Sequence, residues 1–430
     1  MCRIMKWKKT LRLKNVTGSS VLIILAPLAG AQSWIGTNGA NWNVGANWSG
    51  GAVPVSGSPA IQNGTHAIIN SPAPDCISTG YLAIKYPGSG LAVQSGGSFL
   101  MTGQIQIFGE SDGVTVSGGS LTASNRVYIG KDGNTNMAVM NVTSGSFTAQ
   151  NTFEIGGETT AGRFVNGTLN ISGGTVTATS TSALQIGKGT NSNVGIIHLT
   201  DGTFSNACTA TRLGDDGKGY LNQSGGTFIS STAVNLGYSA GGVGTINFSG
   251  GTFRALSIVD FNASASGRIG ITGNAAGSSF TIGQLVLDNA ASSMAFTISK
   301  ANGITPITVT NAAANSAKIM NGKLELAGSG SFTAADCGRT WDLIHWTGGT
   351  IITTGLTMTN TSSAVFSYAV VSDGSGGSKL QATLVKGSSK INFILLSGLF
   401  SNVPSRLKTV SSVCGSDRVA SVRTGIIEGV

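Results

Sequence analysis

The sequence predicts an all-β chain wound as a right-handed parallel β-helix, a β-solenoid with coils of about 25 residues. Three observations predict it. A Gly-(Ser/Thr)-hydrophobic step recurs seven times at a near-constant interval. Alternation of apolar and polar residues precedes each copy, which is the period of a strand with one buried face. Finally, 64 of 430 residues are Gly and only 10% are charged. Gly is poor in helices, and the good helix formers Glu and Lys are scarce here.

The steps are Gly97-Ser98-Phe99, Gly119-Ser120-Leu121, Gly145-Ser146-Phe147, Gly174-Thr175-Val176, Gly202-Thr203-Phe204, Gly226-Thr227-Phe228 and Gly251-Thr252-Phe253, at intervals of 22, 26, 29, 28, 24 and 25 residues. Five and three residues before the key Gly stand apolar pairs: Val114/Val116, Met140/Val142, Leu169/Ile171, Ile197/Leu199 and Ile246/Phe248. The Leu221 copy has a polar Gln223 as its second member. A second strand ends in an apolar-Gly pair, at Ile129-Gly130, Ile155-Gly156, Ile186-Gly187, Leu213-Gly214 and Leu236-Gly237. One such coil cannot bury its apolar face alone. Stacking coils about 4.8 Å apart closes the backbone hydrogen bonds and piles equivalent side chains into columns. Phe99, Leu121, Phe147, Val176, Phe204, Phe228 and Phe253 form one predicted internal column. The competing reading is a β-sandwich of many short strands.

Residues 1–31 read as a signal peptide: six cations in 1–14, an apolar run Val21–Leu28, and the small-x-small site Ala29-Gly30-Ala31. The run is shorter than the ~20 residues of a membrane span. Residues 32–76 read as an N-terminal cap. Residues 77–385 read as the solenoid, with less regular coils after 255 and a closing section around Trp341–Leu384. Residues 386–430 read as a basic tail. The formal charge of +9 belongs to the ends, because residues 32–385 hold 14 Lys+Arg against 15 Asp+Glu. No basic stripe marks the body for nucleic acid. The export signal predicts an extracellular or cell-surface location with no membrane span in the mature chain.

Chemistry on a solenoid needs acids or bases on neighbouring coils, where equivalent positions lie close enough to cooperate. Two columns read as outward. One is Thr115, Asn141, Asn170, His198, Asn222, Asn247, in which amides can hydrogen-bond up and down the stack. His198 then replaces one Asn and is ladder-bonded or solvated rather than a base. The other is Tyr128, Glu154, Gln185, Arg212, Asn235, where Glu154 has no acidic neighbour. The densest ionic cluster runs from Arg212 to Lys218, with Asp201 and His198 just upstream. Asp215 and Asp216 read as a solvated Gly-rich turn; the competing reading is a lyase-like base with a cation-bound uronate. Trp34, Trp42 and Trp48 read as a cap over the first coil, the competing reading being a sugar-stacking surface. These three Trp and Asp215 and Asp216 are the candidate ligand surface. No catalytic residue, cofactor or metal site is predicted: no CxxC or Cys/His cluster, no Gly-Gly-x-Gly-x-Asp calcium repeat and no His-Glu-x-x-His occurs. Cys76, Cys208, Cys337 and Cys414 read as sparse buried thiols, with their pairing open.

The opening Trp-x-Gly … Asn-Trp … Asn-Trp-Ser-x-Gly … Pro of residues 34–54, the Ser-Gly-Gly-Thr-Phe repeats and the late Trp341-Asp342-Leu343-Ile344 … Gly348-Gly349 resemble bacterial exported β-helix proteins. These are the autotransporter passenger-associated repeat proteins and the related surface proteins with a Pro-Glu-Pro sorting tail. The resemblance covers about residues 32–385. It implies surface display with adhesion or matrix roles and supplies no catalytic residues. The C-terminus departs from it: residues 386–430 are too few for a transporter barrel at about 10 residues per strand, and the sorting tail is missing. The expectation is therefore an exported, non-catalytic structural solenoid, adhesive or passenger-like. The alternative is a polysaccharide-binding or polysaccharide-cleaving β-helix. Expected partners are extracellular polysaccharide or other surface proteins, with end-to-end self-association through exposed end coils.

Overall fold

The computed structural model describes residues 32–73, 80–131, 136–157, 164–190, 192–260 and 262–387. The predicted signal peptide, the tail from 388, Cys76 and Cys414 lie outside the described residues. Among the described residues there is no α-helix, only two short 3-10 turns, Gly45–Asn47 and Ala334–Asp336. Up to Lys323–Ser329 every paired strand is parallel to its neighbours, so the fold is a parallel β-solenoid.

Each coil contributes three segments, so the tube has three faces. Face A begins at Ala40–Asn41, passes through His66–Ile69 and Gly90–Gln94, and ends at Thr357–Asn360. Face B carries the Gly-(Ser/Thr)-hydrophobic steps. Face C carries the apolar-Gly strands, among them Val127–Ile129, Phe153–Gly157, Leu184–Lys188 and Thr211–Asp215. Strands such as Met137–Ala149 run from face A into face B across a bulge at Val142–Ser146.

The two glycines that recur in the central coils have distinct jobs. The key Gly at the A–B corner has positive φ in five successive coils, at Gly145, Gly174, Gly202, Gly226 and Gly251. The Gly of the apolar-Gly pair on face C also has positive φ, as at Gly156, Gly187 and Gly214. There a Cβ would also strike the next coil: on Gly187 it would collide with the Lys218 carbonyl oxygen. Only Gly supplies both the left-handed backbone and the clearance.

The predicted internal column exists. Phe99 pairs with Leu121, Leu121 with Phe147, and the register continues through Val176, Phe204, Phe228 and Phe253. It then runs on to Phe280, Ile307 and Ile344. From Phe204 to Phe280 the rings are stacked, with centroids 5.5, 4.9 and 4.2 Å apart. Such aromatic contacts add about 1 kcal/mol each beyond the area they bury.

Both ends are closed by aromatic clusters. At the N-terminal end Trp34 and Trp42 each pack edge-on against Trp48, and Trp42 lies 5.0 Å from Phe99. The Trp48 indole N–H donates to the Trp42 carbonyl at 3.0 Å and that of Trp34 to the Thr65 hydroxyl at 3.1 Å. At the other end the strand direction changes. Thr340–Trp346 and Val365–Ser372 both pair antiparallel with Ser378–Lys386. Phe332, Trp341 and Phe366 form a second edge-to-face cluster there. Cys208 is a free, buried thiol whose pKa burial raises. Cys337 departs from the expectation of free thiols, being disulfide-bonded.

Candidate functional site

Outward side chains on faces A and C follow the same geometry and end in opposite environments. On face A the predicted amide column is in register: Thr115, Asn141, Asn170, His198, Asn222, Asn247. Asn170 donates to Asn141 at 2.9 Å and Asn247 to Asn222 at 2.8 Å. The Asn222 amide makes a longer contact of 3.5 Å to His198 Nδ1, so the imidazole is the weak rung. Two residues on, a parallel row of hydroxyls stands at Thr200, Ser224, Ser249 and Thr272. The two rows line an open groove of about 320 Å³ between His198 and Thr272. Beneath it Gln223 replaces the apolar residue of other coils and is 1% exposed. Its amide donates to the Gly226 and Thr252 carbonyls, and its own carbonyl oxygen has no partner.

The column on face C is not solvated. Tyr128, Glu154, Gln185 and Asn235 are buried, Glu154 to 4%. Side chains from beyond the face C strands lie over this face, as Lys131 does over the Tyr128 ring at 5.0 Å. Lys188 donates to Glu154 at 3.1 Å and to Gln185 at 3.0 Å, and Gln185 donates to Asp215 at 2.6 Å. Arg212 and Ser239 complete the shell of Asp215 at 3.2 and 2.8 Å. The Arg212 guanidinium also lies over the Tyr238 ring, 3.6 Å from its centre. The network holds two anions and two cations, which is how charges at this depth become tolerable.

These positions correct several expectations. Asp215 is 5% exposed and engages both carboxylate oxygens inside the protein, so it is a structural anchor rather than a solvated turn residue. Asp216 is half-buried at φ 70° and forms an antiparallel bridge with Lys188. Neither offers a free carboxylate pair. His198 and Asp201 do not join this cluster: His198 stands on face A, and Asp201 turns back to the backbone N–H of Gly202 at 2.7 Å. Trp34, Trp42 and Trp48, at no more than 1% exposure, give no ring face to a sugar, because the rings are used to cover the first coil. Lys188 and Ser239 were not singled out by sequence reasoning, because alternation does not mark the residues that cover a strand.

No group of three or more His, Cys, Asp or Glu side chains among the described residues is placed to hold a metal ion. No helix among them is long and apolar enough to cross a membrane. A second groove, of about 330 Å³, lies where face B meets face C and carries the exposed Ile229 and Leu256. No family model, no curated protein and no solved structure matches this chain.

Proposed function

We propose that the protein is an exported, non-catalytic structural β-solenoid that acts as a rigid shaft at the cell surface or in the extracellular matrix, in adhesion or display. One observation carries the reading: the coils stack so that one internal column runs from Phe99 to Ile344, and the two ends are closed by aromatic clusters. A tube of this kind presents long, fixed rows of side chains, which suits display better than turnover. The ionic groups of face C support it further, since their charges are spent on one another. The basic start, apolar run and Ala-Gly-Ala site support export.

Fractionation of cells expressing the full chain tests this. The expected result is a shortened chain, cleaved near Gln32, in the envelope or matrix fraction. A full-length chain retained in the cytoplasm overturns it.

A further inference from the structure

We infer that the groove on face A is a binding site for a neutral, extended polysaccharide that lies along the tube axis. The inference rests on the display reading above and adds the ligand class.

The groove's own chemistry selects the ligand. Its two walls are amide and imidazole groups (His198, Asn222, Asn247) and hydroxyls (Thr200, Ser224, Ser249, Thr272). None of these is a carboxylate, ammonium or guanidinium, so nothing there rewards a uronate, a phosphate or a basic peptide. Arg268 stands on the coil after Asn247, but its guanidinium is held by Glu325 at 2.7 Å. A ligand dense in uncharged hydroxyls matches such walls, each of its groups giving or taking a hydrogen bond without the desolvation cost of an ion.

Geometry selects an extended chain. The rows repeat at the coil spacing of about 4.8 Å, comparable to the rise of one pyranose unit in a straight ribbon. Tyr220, two residues before Asn222 on the same strand, is half-buried on the same face.

The amide ladder is also left open. Asn247 is followed in register by Gly270, which has no side chain, so the row stops and the groove continues. A Cβ on Gly270 would lie 3.0 Å from Asn247 Oδ1. Gly270 has ordinary backbone geometry, being absent from the positive-φ glycines, so the conformation does not demand Gly there. At the other end, His198 Nδ1 lies 3.5 Å from the Asn222 amide, a longer rung than those between the Asn side chains.

Affinity electrophoresis of the full chain in native gels tests the site. The probes are hydroxyethylcellulose and glucomannan as neutral ribbons, and polygalacturonate as an acidic one. The expected result is retardation in at least one neutral gel and none in polygalacturonate. Gly270→Asn, which extends the ladder into the groove, is expected to weaken retardation at least ten-fold. Ser249→Leu, which replaces a wall hydroxyl, is expected to do the same. Circular dichroism and melting confirm that each variant keeps the solenoid. His198→Asn, which makes the rung like its neighbours, is expected to keep binding within about three-fold. No retardation in either neutral gel overturns the inference, as does retardation that folded Gly270→Asn and Ser249→Leu leave unchanged, or retardation only in polygalacturonate. Loss of this site with the chain still found at the surface leaves the shaft reading intact, so the two proposals fail separately.

Discussion

Faces A and C are built from the same repeat, yet one is an open row of neutral amides and the other a covered ionic network. On face A the outward residue is Asn in four of the coils from 141 to 247, half-buried at Asn141, Asn170 and Asn222 and exposed at Asn247. On face C the equivalent outward residue is buried although it points away from the core, because the connecting chain lies over it. Outward in a solenoid therefore does not mean solvated. What lies over a strand decides, and on face C that is Lys188, Tyr238 and Ser239. The difference also sorts the two faces by use: charges go where they can be paired and hidden, and the face left to water carries no formal charge along its groove.

Breaking the covered network is the most damaging test of this contrast. Asp215→Ala removes the shared partner of Arg212, Gln185 and Ser239. Removing one partner of a buried pair strands the other, and a loss of about 3 kcal/mol is expected in denaturant unfolding. Asp215→Asn keeps two of the hydrogen bonds and should lose less. On the open face, Asn222→Ala removes rungs on both sides. Each is half-solvated, so the expected loss is only about 1 kcal/mol by the same measurement. If the two variants cost the same, the faces do not differ in the way described. His198→Asn sharpens the comparison from the other side. It replaces a 3.5 Å contact with the shorter amide rung seen elsewhere, and a gain of up to about 0.5 kcal/mol is expected.

A weaker, local effect separates the C-terminal hairpin from the coils. The Ser375 backbone N–H and the His345 imidazole hold the Asp373 carboxyl far below its ordinary range. Lys300, with the Thr333 N–H, does the same for Asp336. Burial works to raise Asp342, but Lys379 and Gln381 overcome it and leave it low. A depressed folded-state pKa stabilises fully above the unfolded carboxyl value of about 4, and that contribution is lost as pH falls below it. Asp260 has the opposite sign: burial raises it against the N–H groups of Asp288 and Asn289. Its protonation on acidification favours the folded coil. Hydrogen exchange between pH 7 and 3, corrected for intrinsic rates, is expected to show residues 340–346 and 378–386 losing protection while residues 252–260 keep theirs. Uniform loss along the chain would contradict this.

Most of the tube was legible because its signal is a spacing. Phe147, Phe204 and Phe228 each sit two residues after a Gly that only one backbone conformation accepts, and identical local rules place identical side chains in one column. The extension to Phe280, Ile307 and Ile344 was less legible, since those coils lack the Ser-Gly-Gly corner. The antiparallel close of residues 340–386 shows only as a loss of the repeat, which does not report strand direction. Asp215 was misread for a physical reason: alternation tells which side of a strand a residue takes, and nothing in it tells that residues far along the chain will lie on top. The groove depends on Gly270, whose meaning appears only once it stands beside Asn247.

Registered stacking is the claim on which all of this stands, and disulfide trapping on face A tests it most directly. Adjacent coils at about 4.8 Å bring paired Cα atoms within disulfide reach, and a step of two coils exceeds it. Ser224→Cys with Ser249→Cys should cross-link rapidly and quantitatively under mild oxidation, whereas Ser224→Cys with Thr272→Cys should not. Equal trapping of both pairs, or trapping of the second alone, would contradict the stacked register.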